Sequence, residues 1–321
     1  MTEKKNLLGN GLGMVTHNKR YIVWFWLLSI ALAVIGTVGF RESAHAILDH
    51  SLYAQRLTHG FDLSVFIEML IRPEFGPMTT STLPAIYSAV VFFLAMALFL
   101  PGIITGYAST YRLPREDFFR ACGRNLWRFI RILIISGIIM GIVFGVLFAI
   151  NGAIAKKAGE STNEVLPFEL RMIGLAVIFL IMTTLRIWFD LAETDAVLND
   201  QRAVRKSIAA GFRHTFRGLG RLLGSYIVAA IAAIILLWAG LWVWRHAVSP
   251  ESIGGVFAVS QFTLLLLLIP RFWQRSVAVS YWKQYMVAPV VPGQPMAQVT
   301  PAPVAPEPPP VTPTPSPAPS V

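Results

Sequence analysis

Charge is scarce in this sequence. Only 14% of its 321 residues are Asp, Glu, Lys or Arg, against about a quarter in an ordinary soluble domain. That excludes a fold with a normal water-facing surface. Cysteine is scarcer still: the single Cys122 leaves no intrachain disulfide and no multi-cysteine metal site. The long apolar runs hold Asn151, Gln261 and some Ser and Thr, but no central Asp, Glu, Lys or His. Intramembrane proton relays are built from such groups, so a proton-coupled carrier is disfavoured. Also missing are H-E-x-x-H, G-x-S-x-G, a phosphate loop and a D-x-D-x-D-G calcium loop. No enzyme, cofactor or metal site is therefore expected. His45 and Asp49 are four apart with His50 adjacent, but a metal needs three or four converging ligands.

What the chain has is apolar length. Hydrophobic residues make up 55% of it, gathered into runs near or above the ~20 residues that cross a bilayer as a helix. Six spans are expected, over residues 21–40, 83–107, 131–155, 167–190, 222–244 and 254–271. The first could be taken for a signal peptide, since Ala44-x-Ala46 resembles a cleavage site. Its apolar run is too long and bulky for that, and its basic leader unusually long. Pro101-Gly102 is expected to kink the second span, and Pro270 to break the sixth. Trp238, Trp242 and Trp244 sit where an aromatic belt would lie. The fold class is all-α: a polytopic bundle of about six transmembrane helices, with 1–20 a cytoplasmic segment and 21–286 the membrane domain. Residues 41–82 form an outer loop carrying one or two short helices that end before Pro73.

The net charge of +10 is unevenly placed. With the N-terminus inside, 20 of the 27 Lys and Arg residues fall on the inner side and seven on the outer. Basic residues collect on the cytoplasmic side of membrane proteins, so both termini are expected in the cytoplasm. The same bias makes nucleic acid an unneeded explanation of the charge. From Pro289 the chain is dominated by proline and small residues, and the 287–321 segment is expected to be a disordered, partly polyproline tail. Its Pro303/Pro306 and Pro310/Pro313 spacings fit a protein partner with an aromatic groove, or a plain flexible tail.

Two basic segments join spans. From Phe118, helical spacing puts Cys122, Leu126, Phe129, Ile130 and Leu133 on one side and Arg120, Arg124, Arg128 and Arg131 on the other. Pro114, Glu116 and Asp117 suit its first turn. In the second segment Val204, Ile208, Phe212, Phe216, Leu219 and Leu223 share a face opposite Lys206, Arg213, Arg217 and Arg221, with Asp200 a candidate N-cap. Such helices lie in the interface with their cations toward anionic head groups, though the arginines could simply enforce topology. Offset by 89, Arg124-N-L-W-Arg128 falls on Arg213-H-T-F-Arg217, Ala121 on Ala210 and Ser136 on Ser225. This reads as a parallel repeat of span, surface helix and span, or as two similar basic hairpins.

Gly137, Gly141 and Gly145 in the third span, and Ser225, Ala229 and Ala233 in the fifth, place small residues every fourth position. Such stripes let helix backbones approach closely. The two spans are expected in the bundle interior, packed on each other, or on a homodimer face. At the inner interface Arg186, Asp190 and Glu193 share one helix face, within reach of Arg271 or Arg275, as structural ion pairs or as a site for a polar head group.

The run Arg186-I-W-F-D-L-A-E-T-D-A-V-L-N-D-Q-R-A-V-R-K-S-I-A-A-G-F-Arg213 followed by a span resembles a group of bacterial six-span membrane proteins without an assigned activity. Over residues 84–285 it is distantly similar to the membrane domain attached to some glycerophosphodiester phosphodiesterases. The resemblance implies an inner-membrane protein; with no phosphodiesterase domain in the sequence, it implies none of that catalysis. The expected function is a non-catalytic protein organising anionic lipid or protein partners. The alternative is a transporter component for a lipid-like or apolar solute, with a cavity between the repeat halves.

Overall fold

The computed structural model describes residues 6–49, 63–71, 78–109, 111–160, 165–201, 203–249 and 252–287. The expected tail from 288 onward, and His50, lie outside the described residues. The described chain is all-α, with no strand among the described residues. Six of its helical segments are long and apolar enough to cross a membrane, and the protein is a multi-pass membrane protein.

The leader folds into a helix of its own, α1 (Leu7–His17). Asn6 caps it by accepting from the Leu8 amide at 3.2 Å. Leu7, Gly11 and Val15, spaced by four, form its buried stripe. The first span is α2 (Arg20–Gly36) and α3 (Val38–Leu48), joined at Thr37. A short helix, α4 (Leu63–Ile71), precedes the second span, α5 (Met78–Ala108). That span holds Pro84 and Pro101 within one helix, which a bundle tolerates because neighbours satisfy the freed backbone groups.

The third span is longer than the sequence led us to expect. α6 (Arg115–Ala158) runs 44 residues without a break, about 66 Å at 1.5 Å per residue, roughly twice a hydrocarbon core. The first basic segment is thus the start of the span helix, not a separate surface helix. Pro114 precedes it, and Glu116 and Asp117 occupy its first turn. The fourth span, α7 (Leu166–Leu198), continues eight residues past the expected end at Asp190.

The second basic segment is separate: α8 (Val204–Arg217) ends at Gly218, and α9 (Leu219–Ala247) follows. At the 89-residue offset, Gly218 corresponds to Phe129, which is buried inside unbroken α6. The two segments differ at most positions, and this difference, glycine against a core aromatic, falls where one helix stops and the other continues. The sixth span, α10 (Ile253–Tyr281), passes through Pro270 unbroken, and a π-helical turn, Trp282–Met286, extends it.

Neighbouring helices pair as α5 with α6, α6 with α7, α7 with α8, and α9 with α10, while α1 lies on α10 and α2 on α5. The third and fifth spans do not form a packed pair. Gly137, Gly141 and Gly145 are exposed, and a Cβ on any of them would meet nothing within 4 Å. Isoleucines 134, 138 and 142 line this side of α6 and are exposed too. Ser225 and Ala229 are buried and Ala233 half-buried, on the helix whose neighbour is α10. Further along, a Cβ on Gly240 would run into Thr263. The fifth span thus packs chiefly on the sixth, with Gly240 at a close approach between them.

Candidate functional site at the basic end of the bundle

The best-defined polar structure is an ionic core where α7, α9 and α10 meet. Residues Leu191–Val197 are buried without exception, so this end of α7 is enclosed on all sides. Two carboxylates, Asp190 and Glu193, each 2% exposed, form the core, and a third buried one, Asp195, accepts from Asn199 and Trp282 instead. Arg275 of α10 lies between the first two, 2.8 Å from Asp190 and in direct contact with Glu193. Tyr226 of α9 donates its hydroxyl to Asp190 Oδ2 at 2.7 Å. Arg186 approaches the same carboxylate from the turn before, at 3.9 Å. A buried ion needs charged and hydrogen-bonding partners, and this arrangement draws them from three helices.

Arg271 is not part of the core. It is exposed, forms no ion pair among the described residues, and its guanidinium lies 5.8 Å from the Phe92 ring centroid. The geometry selects Arg275, one helical turn later. Tyr226 had no signal in the sequence, because a tyrosine in an apolar span reads as an interface residue.

α8 closes over this region through its smallest residues. Val204, Ser207, Gly211 and Thr215 form its buried face, and the expected apolar face with Phe212 and Phe216 does not. A Cβ on Gly211 would stand 2.8 Å from the Trp188 carbonyl and 2.9 Å from the Ala192 amide. Trp188 donates its indole N–H to the Ile208 carbonyl at 2.8 Å. The large residues turn outward: Phe212 is 46% and Phe216 55% exposed. Trp188 and Phe212 are in edge contact at 5.1 Å. α6 repeats the theme on α5, where Cys122 and Phe118 pack over Gly102.

The expected lipid-facing cations divide into free and engaged groups. Arg124, Lys206, Arg213 and Arg217 are exposed. Arg131 is exposed over the Trp127 ring at 5.2 Å, and Trp127 is itself 64% exposed. Arg120 bonds Glu116 at 2.7 Å on the same helix face. Arg221 belongs to the first turn of α9 and bonds the Tyr285 hydroxyl at 2.7 Å. Arg128 is largely covered and bonded to Asp200 at 2.5 Å. Asp200 accordingly does not cap α8, whose N-cap is Ala203. Its φ of 48° puts it in the left-handed region, which aspartate tolerates better than most residues. It joins the fourth span to the third by this contact. On α8, His214 is held below the usual imidazole value, first by burial and then by Arg217, with Asp195 opposing.

A feature the sequence did not signal is a cleft of about 450 Å³ lined by Trp24, Phe25 and Leu28 of α2, Phe99 of α5, and Arg115 and Phe119 of α6. Among the described residues its lining is aromatic and aliphatic except for one guanidinium. At the far end of the bundle, Asn151 donates to the Arg171 carbonyl at 3.4 Å, and His45 and Asp49 pair at 3.4 Å in solvent.

Together these features define a multi-pass α-helical membrane protein with an ionic core at one end, surrounded by exposed cations and aromatic rings. No protein-family model matches the chain, and no curated protein or solved structure matches it either.

Proposed function

We propose that this chain is a non-catalytic protein of the bacterial inner membrane, with its basic end in the cytoplasm, that gathers anionic lipid of that leaflet. The observation that carries this is that exposed cations and exposed aromatic rings lie at the same end: Arg131 over Trp127, and Arg213 and Arg217 on the same helix as the exposed Phe212 and Phe216. Aromatic rings favour the interface and arginines the head groups above it, at about 1 kcal/mol per basic residue near an anionic surface. The 450 Å³ cleft supports the same reading, since an acyl chain fits its rings and a head-group phosphate fits Arg115. The packed ionic core holds the bundle in shape rather than offering a path for solute.

The test is lipid retention. In nanodiscs holding equal phosphatidylglycerol and phosphatidylcholine, native mass spectrometry of the ejected protein should find mostly phosphatidylglycerol adducts. Arg115→Gln combined with Phe119→Ala should reduce them about fivefold, the equivalent of about 1 kcal/mol. Equal retention of the two lipids by the unaltered protein would sink the proposal.

A further inference from the structure

We infer that a second cleft, formed by α1 against the ends of α5 and α10, is a binding site for a phosphate-bearing ligand. It shares no residue with the Arg115 cleft and differs from it in character. Its volume is about 980 Å³, and it is lined by Asn6 at the cap of α1, Asn10 and His17 of α1, Tyr107 of α5, and Lys283 and Gln284 of the π-helical turn, among others. Among the described residues, none that lines it carries a carboxylate. The charge in it is the Lys283 ammonium, which donates to the Tyr107 carbonyl at 3.3 Å and keeps two further donors. The Asn10 side-chain amide has no partner among the described residues, and the residue is half-buried. A cation with neutral donors and no opposing carboxylate is a set that recognises an anion, and phosphate oxygens accept several such bonds at once.

The backbone of α1 is shaped for the cleft. Leu7, Gly11 and Val15 dock the helix on α10, and this docking is hydrogen-bonded: Trp273 donates to the Leu8 carbonyl at 2.9 Å and Ser276 to the Gly11 carbonyl at 2.8 Å. The opposite stripe carries Gly9 and Gly13, both lining the cleft. A Cβ on Gly13 would meet nothing within 4 Å among the described residues, so none of these requires a glycine there. Glycine within a helix weakens it relative to alanine. What Gly13 provides is open volume above the cleft floor.

The ligand could be free phosphate or the head group of a phospholipid, and the experiment separates them. The full chain in detergent is titrated with inorganic phosphate against chloride at matched ionic strength, and in nanodiscs with phosphatidic acid against phosphatidylcholine. Binding in detergent assigns a soluble phosphate source; binding in nanodiscs alone assigns a lipid head group. In either arm Gly13→Leu fills the cleft and Lys283→Met removes its cation. Each should weaken binding about tenfold or more, as expected for loss of a charge-assisted hydrogen bond. Gly13→Leu should do so with an unchanged or raised melting temperature, which separates a blocked site from a damaged fold. Failure of the unaltered protein to bind in both arms, or unchanged affinity in the two variants, overturns the inference. The Arg115→Gln, Phe119→Ala protein should bind normally, so this site and the lipid reading stand or fall separately.

Discussion

At the residue scale, Arg275 is the side chain on which most depends. It neutralises two buried carboxylates from two turns of α7, and Tyr226 completes the shell of Asp190. Removing one partner of a buried pair strands the other charge, at a cost of about 3–5 kcal/mol. Arg275→Met should therefore lower unfolding stability in detergent by about that amount, whereas Arg271→Met should stay within about 0.5 kcal/mol, since Arg271 is exposed and unpaired. Equal effects of the two substitutions would contradict the assignment. The acidic half of this core could be read from spacing alone, because Arg186, Asp190 and Glu193 recur along one face of a helix. The choice between two arginines four apart could not. It depends on whether the helix survives Pro270, and that is decided by neighbours, not by the proline.

At the element scale, the two basic segments show what a helical wheel captures and what it misses. Both are helices with a cationic side. The wheel ranks faces by hydrophobicity, and so assigns Phe212 and Phe216 of α8 to the interior. Close packing is decided instead by how near two backbones can come, and Ser207, Gly211 and Thr215 allow the nearest approach to α7. The phenylalanines are thereby left facing outward, where a membrane can take them. The same reasoning corrects the glycine stripe of α6, whose spacing is right for a helix contact but whose side of the helix is open. Gly211→Ala should destabilise by about 1–3 kcal/mol, because its Cβ meets rigid backbone. Gly137→Ala should stabilise by about 0.5–1 kcal/mol, because it meets nothing and ends a helical penalty. Thermal unfolding of the two variants in detergent checks both signs; a destabilised Gly137→Ala would mean that this face is covered in solution.

For the whole molecule, the number of helical spans was readable because apolar length is a one-dimensional signal. The leader was not: α1 has only three buried residues, Leu7, Gly11 and Val15, too few to stand out beside a long apolar run. Orientation rests on the charge bias, and it can be tested with the single native cysteine removed. In a Cys122→Ser background, Ser109→Cys lies at the basic end of α5 and Ser249→Cys just past the opposite end of α9. A membrane-impermeant maleimide applied to intact spheroplasts should label Cys at 249 and leave 109 unlabelled until the cells are opened; the reverse pattern would invert the bundle. The most direct measurement is photo-crosslinking with an anionic phospholipid carrying its reactive group in the head, in nanodiscs, with the adducts mapped by peptide mass spectrometry. Adducts concentrated in 115–131 and 205–221 are the predicted result. Adducts spread evenly, or gathered around Lys156, Lys157 and Arg171 at the opposite end, would contradict a protein built to hold anionic lipid at its basic end.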